Sequence, residues 1–280
     1  MAGDGGLSGL RFQVLPLAVQ IDSASPELLT AAQFLVNRAR QPQQPDARLA
    51  FEVVRTSAGY DVLADGLQLD RAPDANAAVQ TIFGHLQGRV LSRFPAHVLI
   101  RGAVLTMGLR RILLCGETGC GLTSVAVAAL YAGAAVEGDA FALLGADGVT
   151  PLPRPFVLHQ GSDALLREVS LAGLPSAPSG TGVVWAFDPA RAGFPWELER
   201  GRIGACVWVR PNHGGHSRLS TLGHTDAARL FTARCSPPPS TTTGQWLQKL
   251  IALLAGAGCF ELQLGRLEDA LRLLRTIGPA

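Results

Sequence analysis

Lysine is almost missing from this chain: Lys249 is the sole lysine among 24 basic residues. Charge of either sign is scarce, at 16% of 280 residues, and the formal net charge is +2. The arginines are scattered apart from Arg110-Arg111 and are not interleaved with aromatics, which excludes a basic nucleic-acid footprint. No apolar run reaches the ~18 residues that a membrane span needs. The opening Met1-Ala-Gly-Asp-Gly-Gly has no charged n-region and no apolar h-region, so no signal peptide is expected. C-x-x-C pairs are absent too. The five cysteines, at 115, 120, 206, 235 and 259, are widely spaced in mostly apolar surroundings. They read as buried free thiols, and the expected location is a reducing cytoplasm.

What the chain does have is apolar bulk. Hydrophobic residues make up 48%, enough for one large domain or two modest ones. There are no internal repeats. Ser25-Pro26 gives an N-cap with proline at the first helical position, opening a helix to about Arg38. Before it, Phe12 to Ile21 alternates as one strand. Leu49–Val54 and Tyr60–Leu63 read as a hairpin around Ser57-Ala-Gly59, with a second tight turn at Asp65-Gly66. From Asp74 to about Phe94, apolar residues recur at helical spacing. Residues 1–95 thus form an α+β N-terminal module with no chemical constellation of its own.

The stretch that organises the remainder, 96–280, is Leu113 to Ser124. The run Arg111-Ile-Leu-Leu-Cys115 reads as a buried strand, and Val125–Leu130 as a helix. Between them Gly116-x4-Gly121-x-Thr123 follows the phosphate-loop pattern G-x-x-x-x-G-K-[ST], with Leu122 in place of lysine. Such a loop points successive N–H groups inward and adds the positive end of a helix. Gly116, Glu117, Thr118, Gly119, Cys120, Gly121, Leu122, Thr123 and Ser124 are therefore the candidate phosphate-binding residues. Thr123 is positioned to offer a hydroxyl to Mg²⁺. Leu122 offers no donor, and losing one oxyanion donor forfeits about 10²–10³ in rate. Drift from lysine to arginine does not explain this position, since leucine stands there. Cys120 lies at a helix N-terminus, where a thiol pKa is expected to fall, although a space-filling role is the preferred reading.

Around the loop, His97–Leu105 reads as a strand, Ala134–Asp139 as a short strand ending in an acid, and Phe141–Leu144 with Val149–Leu152 as a hairpin. Pro153-Arg154-Pro155 is stiff and carries one cation. Residues 174–182 read as a flexible loop. Gly182–Phe187 and Ala205–Val209 read as strands, 236–243 as a connector, and Gln245–Leu254 and Leu267–Thr276 as closing helices. Asp188, His213, His216, Ser217 and Asp226 are ingredients of a hydrolase triad, yet no G-x-S-x-G precedes any serine. His213-Gly-Gly-His216 reads as a glycine-rich loop lacking a third metal ligand. Trp185, Trp196, Trp208 and Trp246 read as core.

In this order the segments resemble the HPr kinase/phosphorylase-like P-loop proteins, and more closely HPr-kinase-related proteins with an extra N-terminal α+β domain. The resemblance covers most of the chain. It implies an α/β fold with an HPr-kinase-like P-loop core and mixed sheet, preceded by the small α+β domain. It aligns Gly116–Ser124 with the family's G-x-S-G-x-G-K-S-T. It aligns Glu137-Gly138-Asp139-Ala140 with the strand carrying the acidic pair, Pro153–His159 with Pro-Arg-Pro-(x)-x-Leu-Lys, and Phe260–Ala270 with the C-terminal strand and helix. The departures all fall on chemistry: Leu122 for lysine, Ala140 for the second acid, Arg101 for a strand-end histidine, and His159 for a lysine.

The resemblance implies ATP and Mg²⁺ as cofactors if the site still works, with Thr123 and Asp139 on the metal and Asp139 as the general base. Arg154 and Arg101 lie where either arginine would supply the lost positive charge, the plainer alternative being a surface turn and a solvated strand end. The degeneracy leans away from an enzyme. A non-catalytic subunit that engages a peptide or protein partner, in a homo- or hetero-oligomer, is the first expectation. An ATP-dependent kinase of a hydroxyl is the second, and a nucleotide sensor without turnover the third.

Overall fold

A computed structural model of the chain describes residues 8–162, 166, 168–179, 182–238 and 242–278. The N-terminal sheet has the order β1 (Ser8–Val14), β2 (Leu17–Ser23), β3 (Ala47–Thr56), β4 (Gly59–Ala64), β5 (Leu67–Ala72). The single strand expected over 12–21 is in fact a hairpin. Leu15 adopts φ +51°, and Pro16, which has no N–H to give a ladder, occupies the turn. α1 (Pro26–Ala32) starts at the expected Ser25 cap but ends six residues short of Arg38. Phe34 and Leu35 instead donate to Ala31 and Ala32 three residues back, which tucks both side chains into the core. β2 and β3 run parallel across this connection, β3 and β4 form the expected hairpin, and β5 adds antiparallel beyond the expected Asp65-Gly66 turn.

α2 (Ala75–Arg93) begins where Asp74 accepts the Ala77 N–H at 2.8 Å, and it buries Ala78, Val79, Ile82, Leu86 and Val90 beneath the sheet. The same core continues past residue 95 through Leu99, Leu143 and Leu152.

The strand expected over 97–105 divides at Gly102 into β6 (Val98–Arg101) and β7 (Ala103–Met107), which belong to different sheets. An added Cβ at Gly102 would stand 2.5 Å from the Leu114 carbonyl oxygen, so only glycine allows the chain to cross there. β6 joins β10 (Phe141–Gly145), β11 (Gly148–Pro151) and β17 (Cys235–Ser236) in the order β11-β10-β6-β17. β7 enters the central sheet beside β8 (Arg110–Gly116). β9 (Ala135–Gly138), β15 (Ala205–Pro211), β16 (Arg218–Thr221) and β18 (Gly258–Leu264) complete it in the order β16-β18-β15-β8-β7-β9. β8, β15 and β18 run parallel, β16 and β7 lie antiparallel beside them, and β9 pairs antiparallel with β7. This is the mixed sheet that the sequence led us to expect.

Alternation along β8 divides the core. Ile112 and Leu114 face α3 (Leu122–Tyr131) and α6 (Leu267–Arg275). Leu113 and Cys115 face α4 (His224–Thr232) and α5 (Thr243–Ala255). A fourth, small sheet of β12 (Phe156–His159), β14 (Gly182–Phe187) and β13 (Ser176–Ser179) flanks α3. β13 falls within 174–182, read from the sequence as a loop. Its alternation is hidden by prolines and serines, and pairing with β14 fixes it. The connector at 236–243 falls partly outside the described residues. Four cysteines are buried and Cys235 is half-buried, all as free thiols. Trp196, Trp208 and Trp246 are core, as expected. Among the described residues no helix is long and apolar enough to cross a membrane.

Candidate functional site

The loop between β8 and α3 has the expected strand–turn–helix form. Cys120 N–H bonds to the Glu117 carbonyl at 3.1 Å, Gly119 and Gly121 take φ of +82° and +92°, and Val125 N–H reaches back to Gly121. Gly121 opens α3 without a side-chain cap, so no capping side chain occupies the helix N-terminus, where an anion is favoured. At Gly116 an added Cβ would stand 2.5 Å from Cys120 Sγ and 2.7 Å from the Val209 carbonyl oxygen, so the loop closes only on glycine. Glu117, Thr118 and Gly119 are exposed, Cys120 and Ser124 are buried, and Thr123 is half-buried. Leu122 is half-buried and packs against the core shared by α3, α6 and the sheet. A leucine is accepted because its apolar end has an apolar surface to lie on.

The expectation of a depressed Cys120 pKa is overturned. Burial pushes this thiol up, and the Leu122 and Cys120 N–H groups oppose that only in part. Cys120 fills space under the loop.

Asp139 follows β9 directly and is 8% exposed. Thr123 Oγ1 donates to its Oδ2 at 2.8 Å, so the two residues expected on a metal are in direct contact. Two oxygen donors beside a candidate phosphate loop would suit Mg²⁺, which keeps several waters and takes one or two carboxylates plus phosphate oxygens. Burial raises the Asp139 pKa to about 6, against the lowering effects of the Thr123 hydrogen bond and the Arg154 charge. No group of three His, Cys, Asp or Glu side chains able to hold a metal occurs among the described residues. Glu137, two residues earlier, points elsewhere and forms a buried bidentate pair with Arg111.

Arg154 is no surface turn. Its guanidinium lies 4.7 Å from the centre of the Phe83 ring, and its buried Nε has no hydrogen-bond partner among the described residues. Burial lowers its pKa, Asp139 acts in the opposite sense, and the nearby Arg101 adds to the lowering. Arg101 is exposed but stacks 5.4 Å over Phe141. A third arginine, Arg234, escaped the sequence reading. It sits 6.0 Å over Trp208, also has a buried Nε without a partner among the described residues, and accepts the Arg101 N–H on its carbonyl at 2.9 Å. No motif announces it. β17 brings it to the site by pairing with β6 across more than a hundred residues. None of the three arginines forms an ion pair with a carboxylate among the described residues.

These groups and the loop line one cavity of about 590 Å³, with His159 and His213 also on its wall. Its wall carries the loop backbone, three arginines, the buried carboxyl of Asp139 and the exposed carboxylate of Glu117, and its positive groups fit a polyphosphate anion. The hydrolase ingredients are not assembled. Asp188 accepts the Ala190 and Arg191 N–H groups, Ser217 donates to the Arg266 carbonyl, and His216 meets Asp269 at 2.9 Å.

Because the folded-state pKa of Asp139 exceeds its ordinary value, the contribution of this carboxyl to stability is fully present below about pH 4. That contribution is lost as pH rises to about 6 and beyond, where the buried carboxyl ionises. The expected loss is on the order of 3 kcal/mol. In Asp139→Asn, denaturant titrations at pH 4 and pH 7 should show that this difference is gone, since the amide does not titrate. A difference of the same size in the variant would place its origin elsewhere.

No family model matches the chain, and no curated protein matches it. Among solved structures, the Hpr(Ser) kinase/phosphatase from Coxiella burnetii is similar over 64% of this chain and 87% of that one, at 9% identity and a TM-score of 0.31. A likeness so distant carries no argument about chemistry. The functional reading rests on the site.

Proposed function

We propose that the loop Gly116–Ser124 binds the phosphates of a nucleotide such as ATP, with Arg154, Arg101 and Arg234 supplying the charge that the missing lysine would bring. The observation that carries this reading is the unpartnered, buried Nε of Arg154 beside Asp139, at an uncapped helix N-terminus. A guanidinium whose buried Nε has no partner among the described residues is costly unless an anion completes it. Mg²⁺ would be held by Thr123 and Asp139, together with phosphate oxygens. With one carboxylate in place of a pair and no lysine at position 122, the protein acts by binding a nucleotide and a peptide or protein partner, and phosphoryl transfer is slow or absent.

Calorimetry with Mg·ATP, run alongside phosphate-release and transfer assays, tests this. Binding without turnover is expected. Leu122→Lys should tighten binding about tenfold or more, the value of one charged hydrogen bond. No heat at millimolar nucleotide would overturn the proposal. A second reading, kinase activity, draws support from the Asp139 pKa of about 6, which suits a general base near neutral pH. Transfer that disappears in Asp139→Asn would select it.

A further inference from the structure

A larger cavity, about 960 Å³, shares no lining residue with the loop cavity. One wall is a flank of α5: Lys249, Ala252, Leu253 and Gly256 recur at helical spacing, beside the stripe of Trp246, Leu250 and Leu254 that is buried in the core. Leu144 at the end of β10 and Ile203, both almost wholly buried, line it as well, with Pro95, Ala96 and Ala146 adding apolar surface and Gln245 and Gln248 the polar groups of α5. Ala252 and Gly256 carry no bulk that would bar the backbone of a second helix, which packs at about 8–10 Å from its neighbour.

The charge on this groove has one sign. Arg202 and Lys249 line it, and no aspartate or glutamate does. Arg202 meets no carboxylate among the described residues. The acid in the β10–β11 turn, Asp147, is paired with Arg200. Lys249 donates to the Ala96 carbonyl, which satisfies a hydrogen bond without neutralising the charge. The only lysine of the chain thus stands beside an apolar trough rather than in the loop.

We infer that this groove docks an amphipathic helix of a partner protein, with an apolar stripe that fills the trough and acidic residues that meet Arg202 and Lys249. This is the helix-in-groove mode of recognition, with charge setting the choice of partner. It does not depend on nucleotide binding at the loop.

The test is fluorescence anisotropy of the full chain with two labelled synthetic helical peptides. Both carry leucine at i, i+3, i+4 and i+7, with glutamate at the other positions in one and lysine in the other. The glutamate peptide should bind saturably and the lysine peptide should not. The double variant Arg202→Glu/Lys249→Glu should lose about tenfold or more in affinity for the glutamate peptide. Ala252→Trp, which fills the trough, should abolish binding while far-ultraviolet circular dichroism stays unchanged. Arg154→Ala should leave the affinity unaltered, which separates the groove from the loop cavity. Equal binding of both peptides, full affinity in the double variant, or loss in Arg154→Ala alone would overturn the inference. So would self-association of the chain that the double variant abolishes, because the groove would then belong to a second copy.

Discussion

Glu137→Ala is expected to lower the free energy of unfolding by about 3–5 kcal/mol, the range for removing one partner of a buried ion pair. Glu137 and Arg111 meet through two bonds of 2.6 and 2.8 Å, with their side chains 5% and 10% exposed. Glu137 Oε2 also accepts the Glu199 N–H, and its backbone carbonyl accepts the Trp196 indole N–H. Alanine would strand the Arg111 charge in the interior with only the carbonyls of Val149, Glu199 and Gly201 to solvate it. The pair ties β8, which leads into the loop, to β9, which leads into Asp139. Urea unfolding at pH 7 measures the effect. The double variant Arg111→Met/Glu137→Leu should recover most of the loss, because apolar groups of similar volume need no solvation. A single-variant loss below about 1 kcal/mol would show instead that water reaches the pair, as at a surface bridge.

Arg154→Ala is expected to weaken Mg·ATP binding by about 10- to 100-fold, the value of one charge-assisted hydrogen bond in a sheltered site. Arg154→Lys should recover only part of this, since an ammonium neither stacks on Phe83 as a plane nor offers a two-pronged donor. The prop itself can be tested. Phe83 lies under Arg154 and 5.9 Å from Phe141, which in turn carries Arg101. Phe83→Leu on α2 should therefore weaken binding several-fold without touching the ligand. Calorimetry measures all three variants. Unchanged affinity in Arg154→Ala would mean that its buried guanidinium serves packing alone.

Much of this architecture was legible in the sequence because the signals were local. The Ser25 and Asp74 caps, the Asp65-Gly66 turn and the glycine spacing from Gly116 to Gly121 each specify a backbone conformation within a few residues. The misreadings have one physical origin. Pro16 turns an apparently continuous strand into a hairpin, and Gly102 carries another from one sheet to the next. In both places apolar alternation continues through the break, so the pattern alone does not mark it. β13 was hidden because Pro178 and its serines look like a loop until β14 pairs with them. Arg154 stood out from its stiff flanking prolines. Arg234 did not, since only the long-range pairing of β17 with β6 and the ring of Trp208 give it a place. The ion pair of Arg111 and Glu137 joins residues on strands that pair with β7 from opposite sides, a neighbourhood that no spacing rule encodes.

The account turns on an anion seated on open backbone N–H groups. Hydrogen exchange of residues 116–124, followed by mass spectrometry with and without Mg·ATP at pH 7, tests that seat directly. Bound phosphates should slow exchange across the loop and the first turn of α3, and Arg154→Ala should remove most of that slowing at the same nucleotide concentration. Saturating nucleotide that leaves exchange in 116–124 unaltered would contradict the account, whatever affinity calorimetry reports.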